Sequence, residues 1–105
     1  MISLVASDAA GEVVGTVTGA VVSGTEGHLR GMAVRPGWQG TPVSDLLLTD
    51  AVRRLQEAGC REVTLDTTLP LKRAIRFYER HGFVPTGKVA DFFGMPLLEY
   101  RRQLP

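Results

Sequence analysis

The apolar residues of this chain change their spacing once, and that change limits which folds the chain can adopt. Up to residue 35, β-branched residues interrupted by glycine-containing turns predict three strands, at residues 2–6, 12–22 and 28–35. From residue 42 to residue 58, the apolar residues recur at helical spacing instead. Three strands joined by short turns and followed by a helix indicate a domain that combines strands and helices.

The predicted helix over residues 42–58 carries signals at both of its ends. Thr41 is a favourable N-cap residue, and Pro42 suits the first helical position because its missing N–H needs no partner there. Asp45 lies in the first turn, where the helix dipole favours a negative charge. Gly59 is a typical residue directly after a last helical turn. We therefore expect a well-defined helix at this position.

The rest of the chain predicts one strand, one helix and two further strands. Residues 61–67 form the strand, and Thr68-Leu69-Pro70 opens a helix that Gly82 ends. The apolar stripe of that helix consists of Leu71, Ala74, Ile75 and Tyr78. Residues 91–96 connect the last two predicted strands, which are Val84–Val89 and Leu97–Arg101. The order β-β-β-α-β-α-β-β predicts an α/β (α+β) sandwich with a mixed, mainly antiparallel sheet flanked by two helices.

Length and composition exclude several classes of protein. The 105 residues match one domain, and no apolar run approaches the roughly 18 residues of a membrane span. With 12 basic and 11 acidic residues, the net charge of +1 gives no reason to expect nucleic acid or a membrane as partner. Cys60 is the one cysteine, so no internal disulfide forms and we expect a cytoplasmic protein. No metal site is expected, because His28 and His81 lack metal-ligand spacing.

Two segments are candidate functional sites. Residues 34–46 lead from a strand into a helix through glycines, so that free N–H groups at the helix start can bind an anion. The alternative is a well-capped connection without a ligand. Tyr78 places a phenol on the second helix, where it can donate a proton to a leaving group if it faces a cleft. The alternative is a core aromatic residue.

The other conspicuous side chains are expected to be structural. Trp38 is predicted to pack over the turn, and the two histidines are predicted to lie at the surface or at strand ends. Cys60 follows a helix end, where no dipole favours its thiolate, so we expect an unreactive thiol. Solvated helix faces account for the basic residues Arg53, Arg54, Lys72, Arg73 and Arg76.

Four blocks together resemble the GNAT superfamily of acyl-CoA-dependent N-acetyltransferases. They are Leu29–Pro36 (LRGMAVRP), the Gln39-Gly40 turn with its helix, Val63–Thr68 (VTLDTT) and Ala74–Phe83 (AIRFYERHGF). The spacing between the blocks also matches, and the resemblance covers about residues 12–101. It implies a GNAT-like domain that transfers an acetyl group from acetyl-CoA to a small-molecule amine or a peptide.

The resemblance also implies roles for individual residues. The strand that contains Met32, Ala33 and Val34 would bind the pantetheine arm of CoA through its main chain, and nearby N–H groups would stabilise the developing oxyanion. Tyr78 would protonate the departing CoA thiolate while the acceptor amine attacks the thioester directly. The pyrophosphate would lie on the turn that opens the helix, formed by Gln39, Gly40, Thr41, Val43 and Ser44.

The sequence departs from the family pattern at this turn. The family reads Gln/Arg-x-x-Gly-x-Gly/Ala, and this chain has Gln39, Pro42 and Ser44 at those positions. Pro42 lacks an N–H donor, and Asp45 adds a carboxylate near the expected pyrophosphate. At about 6 Å and an effective dielectric constant near 20, such a like-charge pair costs on the order of 2–3 kcal/mol. These departures predict weakened binding of acetyl-CoA.

Two further departures concern the acceptor side. Arg30 stands where the family often has an acidic residue that helps to deprotonate the amine, and Leu71 stands where many members have asparagine. Glu26 is then the nearest acidic candidate for a base. An alternative function follows, in which a GNAT-like domain with a degenerate CoA turn is a non-catalytic binding or scaffold subunit, or hosts a different reaction in the same cleft.

Family members normally begin with a strand and two helices that shape the acceptor pocket, whereas this sequence begins at the second strand. The resemblance therefore implies a single truncated GNAT-like domain over residues 1–105. Either its acceptor site is open, or a second subunit covers it, or the chain is a shortened gene product. We expect a homodimer, because an uncovered sheet face near residues 2–22 would expose apolar surface.

Overall fold

A computed structural model describes residues 1–68 and 72–105 of the chain. Six strands form one sheet in the order β1-β2-β3-β4-β6-β5, with β3 and β4 parallel and every other neighbouring pair antiparallel. The bounds are β1 Ile2–Ser7, β2 Val13–Ser23, β3 Glu26–Val34, α1 Val43–Glu57, β4 Glu62–Thr68, α2 Lys72–Arg80, β5 Val84–Phe92 and β6 Met95–Gln103. This arrangement confirms the predicted α/β sandwich. The residues predicted to open the second helix, Leu69, Pro70 and Leu71, lie outside the described part of the chain.

Helix α1 packs its apolar face on the sheet. Its buried residues recur at the predicted spacing and are Leu47, Leu48, Ala51, Val52 and Leu55. Gly15 of β2 allows the close approach, since a Cβ there would lie 2.8 Å from Cδ1 of Leu47. Three residues of α2, Ile75, Phe77 and Tyr78, pack against the same core cluster, so both helices cover one face of the sheet.

The helix begins one residue later than predicted. Pro42 is the N-cap, with φ −62° and ψ −9°, so the prediction that Thr41 caps the helix is wrong. Thr41 still supports the turn, because its hydroxyl accepts the Val43 N–H across 3.4 Å and donates to the Trp38 carbonyl across 2.5 Å. A single 3₁₀ turn, Pro36–Trp38, precedes this segment and was not predicted.

A β-bulge in β3 changes which residues face the core. Thr18 pairs with Gly31 and Gly19 pairs with Leu29, so Arg30 is left without a partner in β2. One extra residue reverses the alternation of a strand beyond it. Leu29 is buried before the bulge, and Met32 is half-buried after it. A regular alternation along residues 28–35 would place Leu29, Gly31 and Ala33 on one face, and the bulge reverses this order beyond Leu29.

Strands β3 and β4 separate after the bulge. Their four residue pairs run from Glu26 with Glu62 to Leu29 with Leu65, and no further pair between them occurs in the described residues. A gap therefore opens between the end of β3 and the end of β4. This gap positions the candidate site.

The hairpin between β5 and β6 is tighter than predicted. Phe92 pairs with Met95, so the turn consists of Phe93 and Gly94, with φ 53° and 84°. The expectation that residues 91–96 form a connecting loop is wrong. Positive φ at both central residues is the type I′ geometry, and phenylalanine rarely adopts it, so the sequence carried no clear signal. None of the described helices has both the length and the apolar character needed to cross a membrane.

Candidate functional site

A cleft of about 650 Å³ lies between the end of β3, the turn before α1 and one face of α2; we call it the larger cleft. Six of the eight residues predicted to bind a cofactor line it: Met32, Val34, Gln39, Gly40, Thr41 and Ser44. The other two do not line it. Ala33 pairs with Thr16 of β2, and Val43 packs against the core.

The main chain of β3 offers hydrogen-bonding groups to the larger cleft. The Arg35 N–H donates to the Val14 carbonyl of β2 across 2.8 Å. Because successive residues of an antiparallel strand turn their main-chain groups to opposite sides, those of Met32 and Val34 face away from β2. The Gln39 side chain agrees with this direction, since its Nε2 donates to the Val34 carbonyl across 3.2 Å. An extended ligand can therefore pair with this stretch as a strand would.

The start of α1 presents free N–H groups to the same cleft. The first bond to the Pro42 carbonyl comes from the Leu46 N–H, at 3.0 Å. The N–H groups of Ser44 and Asp45 precede it and have no acceptor among the described residues. Gly40, at φ 80°, turns the chain into this position with open space around its Cα. The arrangement suits a phosphate group, even though Pro42 contributes no donor.

Helix α2 adds a row of basic side chains to the cleft, three of which were predicted to lie on a solvated helix face. Its basic residues lining the larger cleft are Lys72, Arg73, Arg76 and Arg80. Arg76 and Arg80 are four residues apart and therefore share a face of the helix. That spacing was visible in the sequence, but the sequence did not show that the face lies opposite the start of α1. The cleft is consequently positively charged on one wall and lined by free N–H groups on the other.

Asp45 lies at the rim of the larger cleft, but its charge is paired. Its Oδ1 lies 2.7 Å from Nε2 of His81 and 3.0 Å from a guanidinium nitrogen of Arg80. Hydrogen bonds from His81 and then from Arg80 lower the pKa of Asp45 from its usual 3.8. These contacts link the start of α1 to the end of α2. The repulsion expected from the sequence assumed an unpaired carboxylate.

Tyr78 is half-buried on α2 and held by two aromatic rings. Phe77 and Phe83 lie edge-to-face with it at centroid distances of 5.4 and 6.1 Å. Burial raises the pKa of the Tyr78 phenol above its usual 10.0. No described residue hydrogen-bonds the hydroxyl, so its proton remains available to a ligand.

A smaller cleft of about 280 Å³ occupies the gap between β3 and β4. Three residues, Met32, Ala74 and Tyr78, line both clefts. Asp66 is the one carboxylate among the described residues that line the smaller cleft, and Arg30 lies there too. Asp66 was not predicted as a site residue, although its position near the end of a strand was a signal. Glu26 was the predicted candidate for the base, but it lies opposite Glu62 in the strand register and lines neither cleft.

Comparison with known proteins identifies the family of this fold. The model of the acetyltransferase (GNAT) family matches residues 2–83. The chain belongs to the GNAT family. The larger cleft contains the turn before α1, which the family resemblance predicts to bind the pyrophosphate of CoA.

Individual relatives and solved structures agree with membership of the family. Aminoglycoside N(6')-acetyltransferase type 1 of Stenotrophomonas maltophilia is 38% identical over 80 residues, which cover 72% of this chain and 52% of that protein. The chain thus spans about half the length of this relative. An acetyltransferase structure from Bacillus cereus has a TM-score of 0.84 and 26% identity, covering 98% of this chain and 72% of its own. Chaetomium thermophilum Naa20, solved with a bisubstrate analogue, shares the fold alone, with a TM-score of 0.85 and 18% identity over 95% of this chain and 64% of its own.

Other residues that stood out in the sequence lie outside both clefts of the GNAT domain. His81 directly follows α2 and His28 lies near the start of β3; both are half-buried, with 17% and 24% of their side chains exposed, and they contact Asp45 and Asp66. Cys60 is buried, which raises the pKa of its thiol and agrees with an unreactive role. Trp38 is half-buried at the 3₁₀ turn and lines neither cleft.

Replacing Asp45 by asparagine is expected to destabilise the GNAT domain without tightening CoA binding. The carboxylate is partly exposed, so the loss should be less than about 1 kcal/mol. Because the pKa is lowered in the folded state, the contribution is present above pH 3.8 and disappears as the pH falls below it. Urea unfolding of both proteins, near neutral pH and below pH 3.8, measures this difference. Tighter CoA binding by the variant would instead show that Asp45 repels the pyrophosphate.

Proposed function

We propose that this GNAT domain transfers an acetyl group from acetyl-CoA to an amine, with Tyr78 as the general acid. The observation that carries the proposal is the position of Tyr78 in the lining of both clefts. A donor in the larger cleft and an acceptor in the smaller cleft would meet beside its hydroxyl. A group between two substrates is well placed to transfer a proton during the reaction.

The residues of the larger cleft fit the three chemical parts of CoA. The outward main-chain groups of Met32 and Val34 can bind the amide-containing pantetheine arm as a neighbouring strand would. The N–H groups at the start of α1 can bind the pyrophosphate. The cations of α2 can neutralise the phosphates, and arginine side chains suit this role because they bind phosphate oxygens in pairs.

The smaller cleft supplies the residues for the acceptor. Acetyl-CoA supplies the acetyl thioester. Asp66 accepts one proton from the acceptor ammonium, which leaves a neutral amine able to form the new C–N bond. Tyr78 donates its proton to the sulfur when the C–S bond breaks, and its raised pKa keeps the phenol protonated until then. The attacking nitrogen loses its extra proton as the amide forms, and this proton returns to the Tyr78 phenolate. Main-chain N–H groups near Met32 stabilise the charge that develops on the carbonyl oxygen.

Titration calorimetry with acetyl-CoA, followed by a thiol-release assay, tests the proposed function. The acceptors for the assay are an aminoglycoside and a peptide with a free N-terminus. The aminoglycoside is included because the relative at 38% identity is named for that class. We expect saturable binding and thiol release that depends on the acceptor. Absence of heat and of any thermal shift at millimolar acetyl-CoA would refute the proposal.

Replacing Arg76 by glutamine is expected to weaken acetyl-CoA binding about tenfold, or ~1.4 kcal/mol. The guanidinium lines the larger cleft, and its loss removes one cation from the wall that faces the phosphates. Arg53→Gln is the matched control, because Arg53 is engaged by Asp50 and Glu57 outside both clefts. The difference between the variants should shrink as salt rises. Equal affinities for the two variants would show that α2 does not bind the phosphates.

A further inference from the structure

A histidine and a carboxylate meet on the face of the sheet opposite the two helices. In β4, Val63 and Leu65 belong to the core, so Thr64 and Asp66 point to the other face. His28 lies beside them because β3 and β4 pair in parallel, with His28 opposite Thr64. The three side chains therefore lie together behind the smaller cleft, and Asp66 is the member that lines it.

The hydrogen bonds of Thr64 fix the orientation of His28. Nδ1 of His28 lies 2.8 Å from the Thr64 hydroxyl, which in turn donates to the Gly27 carbonyl across 3.4 Å. Both contacts are satisfied together only if Nδ1 carries the ring proton, because the hydroxyl has a single hydrogen. Nε2 of His28 is then unprotonated and lies 3.6 Å from Oδ2 of Asp66. The Nε2 lone pair thus faces the Asp66 carboxylate, with no other atom of the chain needed to carry a proton from one to the other.

Glu99 of β6 is the register partner of Asp66, and Arg30 lines the same cleft, but neither forms an ion pair with Asp66 in the described structure. Arg101, which is the register partner of Thr64, lies 3.2 Å from Glu62 and 4.0 Å from Glu99. From β2, the residue opposite His28 is Ala20, which does not titrate. The charged and titratable groups on and around this site are Glu26, Arg30, Glu62, Asp66, Glu99 and Arg101. None of the other five groups pairs with Asp66, and His28 is its one ion-pair partner among the described residues.

We propose that His28 takes the acceptor's proton from Asp66 and thereby returns Asp66 to its charged form. The inference rests on the proposed function and names a positioning residue for it. The ammonium of the acceptor loses one proton to the Asp66 carboxylate. The same proton then passes to Nε2 of His28, and the imidazolium, whose side chain is 24% exposed, releases it to water. Asp66 is ionised again before the next acceptor binds.

Nitrogen NMR of the imidazole rings tests the required tautomer and needs no activity. The chain has two histidines, so a His81→Gln variant assigns the His28 signals. We expect neutral His28 to carry its proton on Nδ1, and Thr64→Val to change that preference by removing the hydroxyl acceptor. Thermal melting checks that Thr64→Val folds. A proton on Nε2 in the unsubstituted protein would overturn the proposal.

Two simple amines separate proton removal from a structural role. n-Butylamine is cationic at neutral pH and must lose a proton before it attacks, whereas aniline is already neutral. We expect His28→Gln to lower kcat/KM for n-butylamine about tenfold or more and to change that for aniline less than about twofold. Equal losses for both amines would show that His28 only supports the fold. If the unsubstituted protein does not bind acetyl-CoA, the proposed function is refuted instead. The NMR experiment would still determine the tautomer of His28.

Discussion

Replacing Tyr78 by phenylalanine is expected to lower kcat by about 100- to 1,000-fold and to leave acetyl-CoA affinity nearly unchanged. The substitution removes the hydroxyl and keeps the ring, so the edge-to-face contacts with Phe77 and Phe83 remain. No described residue loses a hydrogen bond, because none binds the hydroxyl. The loss therefore falls on the proton transfer to the leaving thiolate. Steady-state kinetics together with calorimetry separate the two effects.

Tyr100→Phe is the matched control for this substitution. Tyr100 is a buried core residue of β6 and lines neither cleft, so its phenol should be irrelevant to turnover. The pH dependence gives a second check. Because burial raises the pKa of Tyr78 above 10.0, the unsubstituted protein should keep its acid protonated up to that pH and lose activity only above it. If Tyr78→Phe retains full kcat, another group protonates the thiolate.

Replacing Phe83 by alanine is expected to lower the free energy of unfolding by about 3–5 kcal/mol. Phe83 is 0% exposed, so the truncation leaves a cavity in the core next to α2. In a domain of this size such a loss lowers the melting temperature by roughly 15 °C or more. Urea unfolding and thermal melting both measure the effect. The change also removes the ring against which Tyr78 packs, so activity should fall even where the variant is folded.

Phe93→Ala is the control that keeps the comparison fair. Phe93 is the same residue type, but it is 93% exposed at the tip of the β5–β6 hairpin. Its truncation removes almost no buried surface and should change stability by less than about 0.5 kcal/mol. Its positive φ even makes the phenylalanine mildly strained. Equal losses for the two variants would mean that the core near Phe83 is not well packed.

Local signals were enough to predict the elements of this fold and one side of its candidate site. The apolar spacing of α1 and the alternation of the strands gave the element order, and the turn near Gly40 was identified from its glycines. Tyr78 was a candidate because it places a phenol on the second predicted helix, and the family resemblance then gave it a role. In each case the information lies within a few consecutive residues, where helix and strand periodicity are set.

The features that were missed depend on contacts between distant segments. The bulge at Arg30 follows from how β2 and β3 pair, and no residue type announces it. Asp66 became a candidate only when β3 and β4 were seen to separate beside it. Asp45 was expected to repel a pyrophosphate because only its negative charge was considered. Arg80 and His81, about 35 residues away in the sequence, compensate that charge. A sequence gives the charges, but their pairing depends on the packing of the helices.

The separation of β3 from β4 also affects how the domain holds together. One half of the sheet, β1-β2-β3, joins the other half, β4-β6-β5, through four residue pairs in the described structure. A ligand that pairs with Met32 and Val34 would supply hydrogen bonds that the missing part of this seam leaves unmade. Ligand binding would then link the two halves of the sheet, and the free energy of unfolding would rise with ligand concentration.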